Sequence, residues 1–193
     1  DYQPFDPIHL NDIQPVKING LYYKKGDVFL SLRSLSMIVL YRPSSNKILW
    51  YKKYPWKFQH DVDILDENRI SVFNNNNVLY YPRIVGKQED LTRTNNILIY
   101  DFEKNKVFNN YEKIFKKFHI ISNTEGLSEI INNQIFIEDT KFGRILFFDE
   151  DGKLLFEYIN RGKNNKIYPL NWSRILKEDI KTTTNNLKET KCD

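Results

Sequence analysis

Two short segments carry the same arrangement of groups able to do chemistry. In FDPIHLNDI, residues 5–13, His9 stands three positions before Asp12, which is followed by isoleucine. In FQHDVDIL, residues 58–65, His60 stands three positions before Asp63, which is again followed by isoleucine. A neutral imidazole is both a nucleophile and a proton carrier near neutral pH. Asn11 and Arg33 lie close to the first histidine, the latter on the next strand-like run. An amide and a planar guanidinium are the donors wanted where charge builds on an anionic group. The plainer account is that each histidine bonds its own aspartate and locks strand register. That suffices for one histidine; the repeated placement beside Asn11 and Arg33 favours a shared site. His119 shows neither pattern and is read as structural.

The elements that must position these residues recur three times. Each unit opens on an acidic residue and isoleucine, in NDIQPV (11–16), VDIL (62–65) and SEII (128–131). A second run follows: DVFLSLR (27–33), RISVFNN (69–75), QIFIEDT (134–140). A third is MIVLYR (37–42), NILIYD (96–101), RILFFD (144–149). The turns PSSN, FEKN and DEDG then reverse the chain, and KILWYKK (47–53), KVFNNYE (106–112) and KLLFEYI (153–159) close the units. Four short antiparallel strands in series are the signature of β-propeller blades. The expected fold is therefore all-β, with propeller blades at about 9–53, 60–112 and 126–160 inside a portion covering 1–176. A β-sandwich is the competitor, but it gives no reason for the threefold acidic-isoleucine opening. Propellers close with roughly four to eight blades. Three blades therefore imply a part of a larger propeller, or a ring completed by further copies as a homo-oligomer.

Two stretches break the pattern. Residues 77–95 lengthen the second-to-third strand connection of the middle unit, where long loops often line a binding face. Residues 112–124 have room for a short helix around EKIFKKF. The end, 177–193, is polar, lacks apolar periodicity and reads as a frayed tail.

Composition agrees with a strand-rich globular chain. The 193 residues are 40% hydrophobic and 15% aromatic, and Ala is absent. The 29 basic and 25 acidic residues are interleaved, giving a net charge of +4 with no basic block that would ask for nucleic acid. No apolar run reaches the roughly 18 residues of a membrane span. Cys192 is the single cysteine, so neither an internal disulfide nor a multi-cysteine zinc site is expected. The chain starts on DYQPFDP without Met or a signal segment, as a mature or excised piece would.

IHLNDI, SLRSLS, FQHDVDIL and SVFNNN, in this order, resemble the arylsulfotransferase family of bacterial β-propeller enzymes. EGLSEI, GRILFFDEDGKLLFEY and NWSRIL extend the resemblance over roughly 5–176. It implies transfer of a sulfuryl group from an aryl sulfate to a phenol by a ping-pong route, without a nucleotide donor or other cofactor, in a periplasmic or exported protein. On the matching positions, His60 takes the role of the transiently sulfated nucleophile. His9 and Asn11 contact the sulfuryl group and the phenol oxygen, and Arg33 holds sulfuryl oxygens. Tyr22, Trp56 and Phe58 are candidates to stack on aryl rings, although blade packing is the commoner use of such residues.

Three features depart from the family pattern. Asp61 follows the nucleophile, asparagines replace the usual Asp-Asn-Gly ending of SVFNNN, and a further site histidine of the family lies upstream of these motifs. The alternatives to an enzyme are a propeller that only captures a small anionic or aromatic ligand, and a structural blade set. Asp12, Asp63 and Glu129, repeated in every unit, read as strand-end caps rather than metal ligands. DEDG reads as a hairpin turn rather than a calcium loop.

Overall fold

The computed structural model describes residues 6–77 and 93–176. Within them the chain forms three four-stranded antiparallel sheets. The first contains β1 (Leu10–Pro15), β2 (Val28–Leu32), β3 (Met37–Arg42) and β4 (Lys47–Lys53). The second contains β5 (His60–Ile64), β6 (Arg69–Asn74), β7 (Asn96–Asp101) and β8 (Lys106–Phe108). The third contains β9 (Leu127–Ile131), β10 (Gln134–Asp139), β11 (Arg144–Phe148) and β12 (Leu154–Ile159). In each sheet the strands lie in chain order, each paired with its successor. That meander is the blade of a β-propeller, as the threefold pattern predicted. The expected short helix is α1 (Glu112–Lys117), and β8 stops three residues into the run KVFNNYE. The lengthened connection lies largely in residues 78–92, outside the described residues, as does the tail 177–193.

The turns follow from local chemistry. After the third strand of each blade, the last turn residue has a left-handed backbone: Asn46 (φ 52°), Asn105 (φ 48°) and Gly152 (φ 78°). Asn and Gly tolerate that region best, so PSSN, FEKN and DEDG reverse the chain in the same way. The Tyr41 and Tyr100 hydroxyls each donate to the side-chain oxygen of the turn asparagine, at 2.7 Å in both cases.

The blades pack face to face through two apolar seams. Between the first and second lie Phe29, Ile38, Leu40, Trp56, Val62, Ile70 and Val72; between the second and third lie Phe73, Ile97, Phe115, Ile135, Ile137 and Phe148. The middle strands therefore need apolar residues on both faces, which explains their continuous hydrophobic runs. Each such side chain contributes about 1.5–3 kcal/mol relative to exposure. Truncating fully buried Phe73 to Ala would cost about 3–5 kcal/mol. Carboxylates tie the inner strands: Asp12 Oδ2 accepts from Val62 N at 2.8 Å, and Asp61 Oδ2 accepts from Ser128 N at 2.8 Å. β5 is thus held on both flanks, by β1 and by β9.

Candidate functional site

The inner strands of the first two blades each contain a β-bulge. In β1 it falls between Leu10, paired with Leu32, and Asp12, paired with Ser31. In β5 it falls between His60, paired with Phe73, and Val62, paired with Val72. Asn11 and Asp61 are the extra residues. Counted from the bulge, His60 corresponds to Leu10, and His9 corresponds to Gln59. The equal spacing of the two histidines from Asp12 and Asp63 is therefore not an equal place in the ladder. One inserted residue sits at a different distance from each aspartate, and it shifts the register by one.

His60 is partly buried and held at both ring nitrogens. Its Nδ1 lies 2.7 Å from Asn75 Oδ1, and its Nε2 lies 3.2 Å from the backbone N of Glu125. An amide oxygen only accepts and a backbone N–H only donates, so Nδ1 carries the proton and Nε2 the lone pair. Burial pushes the imidazole down to about 4, and positive charge on Arg33 and His9 adds to this, while the Asn75 hydrogen bond opposes it. At neutral pH the ring is uncharged. Asn75 is itself buried and fixed, its Nδ2 donating to the carbonyls of Ser122 at 2.8 Å and Glu125 at 2.7 Å.

The loop that brings Glu125 to His60 depends on Gly126. Its φ is +91°, and a Cβ there would come within 2.6 Å of Phe73 Cε1. Any side chain would push the loop off the seam. Behind the loop, Ser122 Oγ donates to Asp139 Oδ1 at 2.8 Å, and Arg144 donates from Nε to Asp139 Oδ2 at 2.9 Å and from Nη2 to Phe118 O at 2.6 Å.

Of the other expected residues, Asn11 shares a pocket with His60, whereas Arg33 and His9 act on the His60 ring electrostatically and do not line that pocket. Arg33 is buried, its guanidinium over the Phe58 ring at 5.3 Å, and its Nε has no hydrogen-bond partner. Burial holds its pKa below the usual arginine range, partly offset by Asp6. Asn11 donates through Nδ2 to Gln59 O at 2.8 Å and keeps a buried, unpartnered Oδ1. His9 has a left-handed backbone (φ 50°), pairs through Nδ1 with Asp6 Oδ2, and is felt electrostatically at His60. Buried polar atoms without partners are rare, and two of them border this centre.

His60 and Asn11 open into a common pocket of about 40 Å³, whose walls also include Asp61, Glu125, Glu138, Asn171 and Trp172. That volume holds roughly three waters, the scale of a small polar group and less than an aromatic ring needs. Burial, reinforced by Asp63, keeps the Asp61 carboxyl well above the usual carboxylate range, while its bond from Ser128 N opposes the shift. Burial and Asp63 thus disfavour negative charge on Asp61 beside His60, and its side chain is committed to the third blade. Among the described residues no cluster of His, Cys, Asp and Glu could hold a metal ion.

The aromatic candidates do not reach the pocket. Trp56 is fully buried in the first seam and donates from Nε1 to Lys52 O at 3.1 Å. Phe58 lies under Arg33, and Tyr22 stacks on Phe102 with ring centroids 5.4 Å apart. Trp172 lines the pocket instead. Its segment NWSRIL carries part of the family resemblance but lies outside the repeat, and Glu138 has no signal within the repeat, whereas Asn75 sits in SVFNNN, the strand end whose asparagines departed from the family pattern.

The family described as Arylsulfotransferase (ASST) matches residues 1–161. No curated protein matches the sequence. Among solved structures, apo AztD from Citrobacter koseri is similar with a TM-score of 0.41 and 11% identity, covering 75% of this chain and 32% of its own. Sqt1 from Saccharomyces cerevisiae is similar with a TM-score of 0.36 and 11% identity, covering 68% of this chain and 44% of its own. The chain thus spans less than half the length of either structure.

Proposed function

The chain belongs to the arylsulfotransferase family, and from that premise we propose that the whole protein moves a sulfuryl group from an aryl sulfate to a phenol through His60. In the first half-reaction His60 Nε2 forms a bond to sulfur. The aryl–oxygen to sulfur bond breaks, and the phenolate leaves with the electron pair and takes up a proton. In the second half-reaction an acceptor phenol loses its proton as its oxygen bonds to sulfur, and the N–S electron pair returns to Nε2. Nδ1 keeps its proton throughout, donated to Asn75.

The observation that carries this reading is the state of His60: a neutral ring whose lone pair is on the nitrogen farther from Asn75, in a pocket of sulfuryl size. Its lowered basicity keeps the lone pair free at neutral pH and makes the ring a better leaving group in the second half-reaction. Glu125 N–H must release Nε2 when donor arrives, and 3.2 Å is a long bond to release. The unpartnered Asn11 Oδ1, on a residue of the pocket wall, is an acceptor for a phenolic O–H, and the unpartnered Arg33 Nε, outside the pocket lining, is a donor for a sulfuryl oxygen once the guanidinium turns toward His60. His9, beside them, is suited to protonate the leaving phenolate and take the proton of the acceptor.

The test is turnover of 4-nitrophenyl sulfate by the intact protein and by His60→Ala. The expected loss is about 10³-fold or more, and wild-type protein given donor without acceptor gains the mass of one SO3 group on the peptide carrying His60. Unchanged turnover in the variant, or the added mass on another residue, overturns the assignment.

A further inference from the structure

We infer that Trp172 is the platform on which the aryl ring of the substrate lies, held in place by a strap, Asn171–Arg174, that is latched to the third blade by Glu138. This rests on the reading of His60 as the sulfuryl acceptor, and it concerns the NWSRIL segment, which follows residues 1–161.

The sulfuryl-sized pocket leaves the aromatic part of any aryl sulfate outside it, at the rim. Trp172 is a rim residue, and 63% of its surface is exposed. So large an exposed indole is unfavourable in itself, and its backbone adds to the cost, with a left-handed φ of 62° that bulky residues rarely adopt. Two hydrogen bonds hold it there. Buried Glu138 accepts from Trp172 N through Oε1 at 3.2 Å and from Ser173 N through Oε2 at 2.6 Å, while Thr140 Oγ1 bonds Oε1 at 3.1 Å. With its amide nitrogen toward Glu125, Asn171 donates to Glu125 Oε2 at 2.7 Å, so the strap is joined to the same loop that contacts His60. The Arg174 guanidinium sits 5.2 Å from the Trp172 ring centroid and covers one face. A π-face flanked by a cation is a receptor for an anionic aromatic molecule. Glu138 is a positioning residue in this arrangement, acting through the strap.

The experiment uses the intact protein, 4-nitrophenyl sulfate as the aryl probe and methyl sulfate as the ringless one. Turnover is measured for wild type, Trp172→Ala, Trp172→Phe and Glu138→Gln, and tryptophan fluorescence is followed as each probe is added to the His60→Ala variant. The expected result is a KM for the aryl probe about three- to tenfold higher in Trp172→Ala with kcat little changed, largely restored in Trp172→Phe. Glu138→Gln shifts KM the same way, and the aryl probe alone quenches fluorescence, a signal lost when Trp172→Phe is added. Turnover with an unchanged KM in Trp172→Ala overturns the platform and leaves the role of His60 standing. Absence of turnover with Trp172-dependent quenching supports the platform and overturns the transferase reading. Absence of both overturns both.

Discussion

Leu10 and His60 occupy the same place beside a bulge in two successive blades, yet they live in different surroundings. Leu10 is 49% exposed, because β1 is packed on one flank alone within the described residues. His60 lies between β1 and the Glu125–Gly126 loop that leads into β9, and it is desolvated enough to remain neutral. The fold repeats a backbone; the neighbours on either side decide which copy becomes reactive. A propeller blade acquires chemistry from what closes over its inner end, and here that is the loop made possible by Gly126.

Breaking the enclosure of His60 should have the largest effect. Asn75→Leu removes the acceptor for Nδ1–H and strands the Ser122 and Glu125 carbonyls. Turnover of an aryl sulfate should fall on the order of a hundredfold. Unfolding free energy should fall by about 2–3 kcal/mol in denaturant titrations.

The second prediction concerns pH. The folded imidazole titrates at about 4 and the unfolded one at 6.5, so between these values the unfolded chain binds the extra proton. Stability must therefore rise with pH across that window and fall as pH drops from 6.5 toward 4. The His60 contribution is about 2–3 kcal/mol. Buried Asp61 works in the opposite sense, since a raised carboxyl favours the folded state at low pH. Subtracting the unfolding curve of His60→Gln from that of wild type isolates the histidine; a flat difference between pH 4 and 6.5 contradicts its enclosure.

Asp61→Asn gives a smaller change. It keeps an oxygen for Ser128 N and removes a carboxyl whose ionisation burial and Asp63 both penalise, so stability at pH 8 should rise by about 1 kcal/mol. The smallest effect belongs to Leu10→His. At this exposed counterpart position the new imidazole should titrate near 6.5 by NMR and alter stability by no more than about 0.5 kcal/mol. A ring there that stayed neutral at pH 5 would mean that the backbone position, and not the enclosure, sets the chemistry.

The blades were legible because their cues are local. Short apolar runs and turn residues such as Asn46, Asn105 and Gly152 act within a few positions, so one sequence displays them. The bulges were not legible. A bulge is one residue that goes unpaired, and nothing in IHLNDI or FQHDVDIL marks Asn11 or Asp61 as the unpaired one. Hence His9 and His60 matched by spacing while the ladder sets them one residue apart. The aromatic residues near the histidines, Trp56 and Phe58, were drawn into the seam and under Arg33 by the same hydrophobicity that drew attention to them. Trp172 lies where the period has ended, and the carboxylates of Glu138 and Glu125, distant in sequence, fix where its segment goes. Asn75 was visible as an oddity in SVFNNN, but its meaning depends on a partner 15 positions earlier.

The carboxylates of Asp12 and Asp61 both reach toward the blade that follows, taking a backbone N–H from Val62 and Ser128 respectively. The couplings therefore point one way along the chain, from amino to carboxyl end. During synthesis each of the first two blades emerges holding an acceptor whose donor has not yet been made, so the chain carries an unsatisfied, soon-to-be-enclosed acid until the next blade follows. A truncation after Phe108 leaves the Asp61 carboxylate without its donor, whereas a deletion up to Phe58 strands neutral groups, the Val62 N–H and the Gln59 side-chain amide, and uncovers the first seam. Removing blades from the two sides should thus be unequal in consequence, because the same forward contact is repeated from one blade to the next.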